Sequence, residues 1–224
     1  MSAVPRSPRE RFREQTRNEA KQVAMEQLAE SGPSGISVNA IAKRMGVTGP
    51  ALYRYFANRD ALLTELVADG YRDLAEALEG IAHEHRRKAP ENRFREIAMG
   101  FRRWALDAPQ RFLLLFGTPV PGYEAPAETF ELADRVFRPI LDVLAELAPE
   151  GEPSSALDRQ LVAWRERRGG APLPVPALRK AVRAWSRLHG AVSLEVIGHF
   201  EGMAVDPEPL FRAEVDSTLA EPWE

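Results

Sequence analysis

Residues 37–60 read Ser37-Val38-Asn39-Ala40-Ile41-Ala42-Lys43-Arg44-Met45-Gly46-Val47-Thr48-Gly49-Pro50-Ala51-Leu52-Tyr53-Arg54-Tyr55-Phe56-Ala57-Asn58-Arg59-Asp60. Two short helices lie on either side of Gly46. Ser37 can cap the first, which carries Ile41, Ala42 and Met45. Thr48 can cap the second, which carries Leu52, Tyr53 and Phe56. Gly46 falls in the turn, where a positive φ is expected. The small Ala42 stands where the helices would cross, and Ile41, Met45, Val47, Leu52 and Tyr55 are spaced to lock the pair together. That is the pattern of a helix-turn-helix, whose second helix is held out to enter a major groove. An ordinary helical hairpin inside a bundle has the same spacing. The polar residues separate the two readings: a core helix would not normally place Tyr53, Arg54, Tyr55 and Arg59 in one short stretch beside a helix N-terminus. Hydroxyls, guanidinium groups and free backbone N–H groups there suit phosphate.

Helical periodicity continues in both directions. Upstream, Phe12, Ala20, Val23, Ala24, Gln27 and Leu28 share one face of a first helix that stops at Ser31-Gly32-Pro33. Downstream, Asn58 or Asp60 caps a long fourth helix with the stripe Leu63, Leu66, Val67, Tyr71, Leu74, Leu78, Ile81 and Ala82. A fifth helix shows Phe94, Ile97, Ala98, Phe101, Trp104 and Ala105 and ends before Pro109. Residues 109–116 are short and very apolar, and the Pro/Gly-rich stretch 117–122 is a rigid loop. The next stripe is Phe130, Ala133, Val136/Phe137, Ile140, Leu144 and Leu147, with Pro139 predicting a kink. Residues 149–176 read as a mobile insertion around a short helix, Ala156–Arg168. A long helix at about 177–200 and a shorter one at about 207–220 complete an all-α chain of about nine helices. No β alternation or internal repeat is present.

The 224 residues allow one compact domain or two small ones, with ordinary globular proportions of apolar (44%) and charged (28%) residues. The formal net charge of −3 hides an asymmetry: residues 1–60 hold ten Lys/Arg against six Asp/Glu, and residues 61–224 hold twenty against twenty-seven. A basic head on an acidic body suggests that only the head meets a polyanion. Absence of cysteine excludes disulfide scaffolds, thiol catalysis, Fe–S clusters and Cys-type zinc sites. The longest strongly apolar run, Phe112–Phe116, is far short of the ~20 residues of a spanning helix. No apolar signal core is visible in Met1–Arg13, so a soluble, cytoplasmic protein is expected, with no membrane partner. His83-Glu84-His85 lacks metalloprotease spacing and precedes Arg86-Arg87-Lys88 near a helix end, where cations suit the dipole. With no Walker loop, dinucleotide fingerprint or nucleophile elbow, no enzyme, metal site or cofactor is expected. A helical interaction scaffold without DNA binding is the alternative to a DNA-binding regulator.

The run Ile36-Ser37-Val38-Asn39-Ala40-Ile41-Ala42, Gly46-Val47-Thr48, Leu52-Tyr53-Arg54-Tyr55-Phe56 and Arg59-Asp60-Ala61-Leu62 resembles the DNA-binding head of TetR-type transcriptional regulators. Phe116-Gly117-Thr118-Pro119-Val120-Pro121-Gly122-Tyr123, and Trp185 with His189-Gly190 and Leu194-Glu195, resemble the effector domains of that family. The resemblance implies a homodimeric repressor, released from a palindromic double-stranded operator by a small, largely apolar effector. It implies a DNA-binding domain at 1–60 and an effector-binding and dimerisation domain at 61–224. Ser37, Thr48, Tyr53, Tyr55 and Arg59 match positions that contact phosphates, and Asn39, Gly49, Pro50, Ala51 and Tyr53 occupy the groove-facing surface. Asn39 is the best base reader, because an amide pairs bidentately with adenine. Gly49, Pro50 and Ala51 offer no side-chain hydrogen bonds, so a substantial share of shape-dependent readout is expected. The cluster Arg6/Arg9/Arg11/Arg13 is either a flanking phosphate or minor-groove contact or a solvated terminus.

The resemblance also implies that the body dimerises through its last two helices and holds a ligand among the middle ones, and the residues permit it. Leu178, Ala181, Trp185, Leu188, His189, Val192 and Val196 form one face of the helix near 177–200, and Ala184, Ala191, Leu194 and Gly198 form another. Two apolar faces suit a helix covered by its own domain on one side and a partner on the other. A single buried central helix would read the same way. Candidate pocket residues are Phe101, Trp104, Phe112, Phe116, Tyr123, Phe137, Trp185 and His189. Aromatic stripes at helical spacing are more often plain core.

Overall fold

The computed structural model describes residues 7–32, 35–169 and 171–223; Arg6 and Pro33 lie outside them. Ten α-helices, a 3-10 turn at Glu201–Met203 and no strand occur among the described residues. Helix α1 (Pro8–Ser31) opens with a reciprocal cap, in which Ser7 Oγ accepts from the Glu10 amide at 3.2 Å and the Ser7 amide donates to Glu10 Oε2 at 2.7 Å. Ser37 Oγ accepts from the Ala40 amide at 3.4 Å and opens α2 (Val38–Arg44). Gly46, at φ +69°, turns the chain into α3 (Gly49–Tyr53). A residue with a Cβ would be strained in that left-handed conformation. Asn58 Oδ1 accepts from the Ala61 amide at 2.8 Å and caps α4 (Arg59–Glu84). The remaining helices are α5 (Pro90–Asp107), α6 (Pro109–Phe116), α7 (Glu128–Leu147), α8 (Ala156–Arg167), α9 (Val175–Val196) and α10 (Pro207–Ala220).

The chain packs as two units, one formed by Met1–Tyr71 with Gln110–Thr129 and the other by Arg72–Pro109 with Phe130–Glu224. In the first, Ala20, Ala24 and Leu28 of α1 bury against Ile41 and Ala42 of α2, Leu52 of α3, Phe56, and Leu62, Leu63, Leu66 and Val67 of α4. Leu114 and Val120 join the same core, so the segment after α6 packs with the head. Arg17 grips the Glu65 carboxylate with two nitrogens, and Lys21 Nζ lies 2.6 Å from Asp69 Oδ2. The two pairs hold α1 against α4. Phe12, expected on the buried face of α1, is 66% exposed, because it lies on an open groove beside Met45 and Val47 rather than in the closed core.

The second unit is built on α9, whose Leu178, Ala181, Ala184, Leu188 and Val192 are buried. Two charged networks tie it to its neighbours. Arg102 of α5 donates to both Glu195 oxygens at 2.8 and 2.6 Å and to Glu208 of α10 at 3.1 Å. Asp158 of α8, fully buried, accepts from Arg179 of α9 at 2.8 and 2.9 Å and from the Ser154 and Ser155 amides at 3.0 and 2.9 Å. The stretch 149–176, expected as a mobile insertion, is thus anchored by a buried ion pair that periodicity does not reveal; Gly170 within it lies outside the described residues. Helix α7 continues through Pro139, with Val136, Ile140, Leu141 and Leu144 buried. Phe130, placed by periodicity in that stripe, is 54% exposed.

The Arg179 guanidinium and the flanking amides hold the Asp158 carboxyl far below the usual carboxylate range. Its contribution to stability is complete above the unfolded-state value of about 3.9 and declines as pH falls through it towards the folded one. Asp158→Asn is expected to destabilise the protein by about 2–3 kcal/mol near pH 7. In urea titrations the gap between wild type and variant should narrow steadily from about pH 5 to pH 3.

Candidate nucleic-acid interface and ligand cavities

A five-residue helix cannot persist alone in water. α3 is held because Leu52, and Phe56 beyond its end, are buried in the head core. Its other side chains face outward. Thr48 and Pro50 are exposed, Gly49 and Ala51 are partly so, and Tyr53 is 43% exposed. The Thr48 hydroxyl makes no cap hydrogen bond with α3. Ser37 and Asn39 are exposed at the start of α2. The two helices meet at Asn39 and Gly49, where a Cβ on Gly49 would stand 2.7 Å from Asn39 Oδ1. Glycine at that position therefore leaves room for the amide.

Three expected site or locking residues differ in their surroundings. Tyr55 is partly buried and packs on the head core. Arg59 Nε donates to the Ile36 carbonyl at 3.2 Å, which fixes the stem of a side chain expected to meet phosphate. Val47, expected to lock the helix pair, is 38% exposed. It lines an open groove of about 690 Å³ with Phe12, Met45 and Tyr55. Arg9 and Arg13 from α1 and Arg54 from the end of α3 also line this groove, with Glu19. None of the three arginines forms a hydrogen bond or ion pair among the described residues. Arg54, one of the Tyr/Arg cluster whose chemistry suits phosphate, thus stands on the groove rather than on the face shared by Asn39 and Gly49.

The candidate pocket residues fall in two groups. In the second unit, Phe101 and Trp185 have ring centroids 5.1 Å apart, Trp185 and His189 5.4 Å, and Phe137 and Trp185 6.0 Å. Burial lowers the His189 pKa, favouring the neutral imidazole. Trp104 is anchored separately, its Nε1 donating to Asp73 Oδ2 at 2.7 Å. In the first unit, Phe112 and Phe116 are 5.2 Å apart, Phe116 meets Tyr71 edge-on at 5.9 Å, and the Tyr123 and Thr64 hydroxyls share a 3.2 Å hydrogen bond. A cavity of about 340 Å³ lies between α7 and α8 and is lined by Phe137 together with Trp164, which periodicity did not single out.

On α9, Ala184 is wholly buried within its own unit, because its side of the helix faces the core. Ala191 and Gly198 are partly exposed, and Leu194 is 40% exposed. Ile197, Met203, Val205 and Leu210 are exposed as well, spread from the end of α9 into α10. Among the described residues no group of three or more His, Asp or Glu side chains could hold a metal ion, and no helix is long and apolar enough to cross a membrane.

Residues 94–218 match the family model described as "Tetracyclin repressor-like, C-terminal domain", and residues 22–66 match "Bacterial regulatory proteins, tetR family". The HTH-type transcriptional regulators Rv1816 of Mycobacterium tuberculosis and Mb1846 of Mycobacterium bovis are each 32% identical over 222 residues, spanning 93% of this chain and 92% of theirs. A crystal structure of the regulatory protein SCO4313 is 45% identical, with a TM-score of 0.83 over 96% of this chain and 100% of that one. The TetR family regulator PfmR from Thermus thermophilus, at 18% identity and TM-score 0.60 over 91% and 99% of the two chains, shares the fold.

Gly49→Ala should leave the thermal midpoint unchanged or slightly raised, because the obstructing atom is the end of an exposed side chain. It should displace the Asn39 amide and weaken discrimination at a single base pair by about 1–3 kcal/mol. Thermal melting and a binding-site selection on the two proteins check both halves.

Proposed function

The chain belongs to the TetR family of DNA-binding transcriptional regulators, and from that membership we propose that it is a homodimeric repressor which a small effector releases from a palindromic operator. The observation that carries the reading is the outward face of α2 and α3, where Asn39 lies against Gly49 and Thr48 and Tyr53 are exposed. Asn39 reads a base edge in the major groove. Ser37, Thr48, Tyr53, Tyr55 and Arg59 meet phosphates, and Gly49, Pro50 and Ala51 let the backbone approach. The unpaired Arg9, Arg13 and Arg54 extend the phosphate contacts along the groove beside α3. Side-chain readout from α3 itself is thin, so local DNA shape carries part of the specificity.

A division of labour near residue 60, with the helix-turn-helix before it and effector binding and dimerisation after it, fits the charge asymmetry of the sequence. The exposed apolar residues Leu194, Ile197, Met203, Val205 and Leu210, all within or between the last two helices, support dimerisation, since exposed apolar surface marks an interface. A dimer sets two heads at half-sites about 34 Å apart. An effector that binds better to a dimer with mismatched heads shifts the population away from DNA. The same reading places the protein in the cytoplasm, at the chromosome, with no catalytic role.

The test is a binding-site selection followed by gel shifts at several salt concentrations. A palindromic site, and affinity that falls steeply with salt, are expected. Tyr53→Ala should weaken all sites alike, whereas Asn39→Ala should flatten the preference at one base pair. The same sequence profile for wild type and Asn39→Ala would remove the reader role, and no specific complex from a random pool would sink the whole reading.

A further inference from the structure

We propose that the cleft between α7 and α8 binds a planar aromatic anion, the class of compound that serves as effector; this rests on the reading of the chain as a ligand-released regulator. The cleft encloses about 340 Å³ and is lined by two aromatic rings, Phe137 and Trp164, and by three arginines, Arg138, Arg165 and Arg168. The ring centroids are 6.1 Å apart and nearly perpendicular, at 74°, so one ring offers a face where the other offers an edge. A cavity near the lower end of the ~300–1,000 Å³ range for ligand pockets suits a compound of one or two rings.

The charge of the lining is unbalanced. Asp134 is its sole acid, and it is taken up by an ion pair with Arg168. Arg168 is further fixed over the rings of Trp164 and Phe130, at 5.5 and 5.8 Å. Arg165 is braced through Nε, which donates to the Ala171 carbonyl at 3.2 Å. Arg138 forms no hydrogen bond or ion pair among the described residues. Asp142, one turn beyond Arg138 on α7, is a carboxylate near both Arg138 and Arg165, and burial raises its pKa; Glu79, also near Arg138, is held by two hydrogen bonds from Arg135. Two guanidinium groups without a dedicated carboxylate, beside two aromatic rings, are the recognition elements for a carboxylate or sulfonate on an aromatic body. Phe137 also meets Trp185 of α9 at 6.0 Å, so an occupant of the cleft contacts the aromatic cluster at the centre of this unit.

The full chain can be titrated with 1-anilinonaphthalene-8-sulfonate and, in parallel, with the neutral N-phenyl-1-naphthylamine, following probe fluorescence. The sulfonate should bind at least about tenfold more tightly than the neutral probe. Arg138→Gln and Arg165→Gln, each at an accessible side chain, should each weaken the sulfonate about tenfold and leave the neutral probe unchanged. Trp164→Leu should weaken both probes. Equal affinity for the two probes, or a sulfonate affinity indifferent to both arginine substitutions, overturns the proposal. Gel shifts on the selected operator separate the two readings. The expected probe pattern without DNA release would leave the cleft standing as an anion site and remove its effector role. DNA release by other compounds, with the probe pattern absent, would remove the cleft and keep the regulator.

Discussion

A recognition helix of five residues has no stability of its own, and the whole reading surface depends on the core that holds it. Leu52 and Phe56 are the anchors, each about 1% exposed. They are covered by α1 and by the first turns of α4, through Ala20, Ala24, Leu62, Leu63 and Leu66. Because the helix contributes so few residues, its position is set by what lies behind it, and its outward residues are released from any packing duty. That freedom explains a surface made of Gly49, Pro50 and Ala51, three residues with little or no side chain to pack or to hydrogen-bond. It also explains why Gly49 can yield space to Asn39 from the neighbouring helix.

The same core gives meaning to the basic surplus of the head. Arg17 and Lys21 are spent on Glu65 and Asp69, and Arg44 is shared between Glu26 and Glu30. Exposed pairs of this kind add little stability singly. Two in parallel along α1 and α4 nevertheless fix the register of the helices between which the core lies. The cations left over include Arg9, Arg13 and Arg54, which line one groove beside α3. The charge count of the first sixty residues thus mixes structural cations with available ones, and only the structure separates them.

What could be read from the chain followed local chemistry. The caps at Ser37 and Asn58, the left-handed turn at Gly46 and the buried anchors Leu52 and Phe56 depend on residues within a few positions, and each stands where spacing put it. Misplaced residues share another cause. Periodicity assigns a face to Phe12, Phe130 and Ala184, but whether that face is covered depends on elements far along the chain. Phe12 and Phe130 lie open, while Ala184, grouped with an outward face, is wholly covered by its own unit. Asp158 and Arg179 are twenty-one positions apart, and no pattern in the sequence announces that they meet.

Those long-range charges also bear on the surface left for a second copy. A buried ion pair contributes little net stability, since desolvation offsets most of the attraction, but it admits few alternative arrangements. Arg102 lies 2.6 Å from Glu195 near the end of α9, with about a tenth of either side chain exposed, and its third contact is to Glu208 at the start of α10. Any shift of α10 along α9 would strand the guanidinium in a dry setting. The exposed apolar residues Leu194, Ile197, Met203, Val205 and Leu210 sit on the chain between and beside these two glutamates. The backbone that carries them is therefore braced from inside the unit by this charge network. Backbone braced in this way loses little freedom on association, which would lower the cost of the dimerisation proposed above.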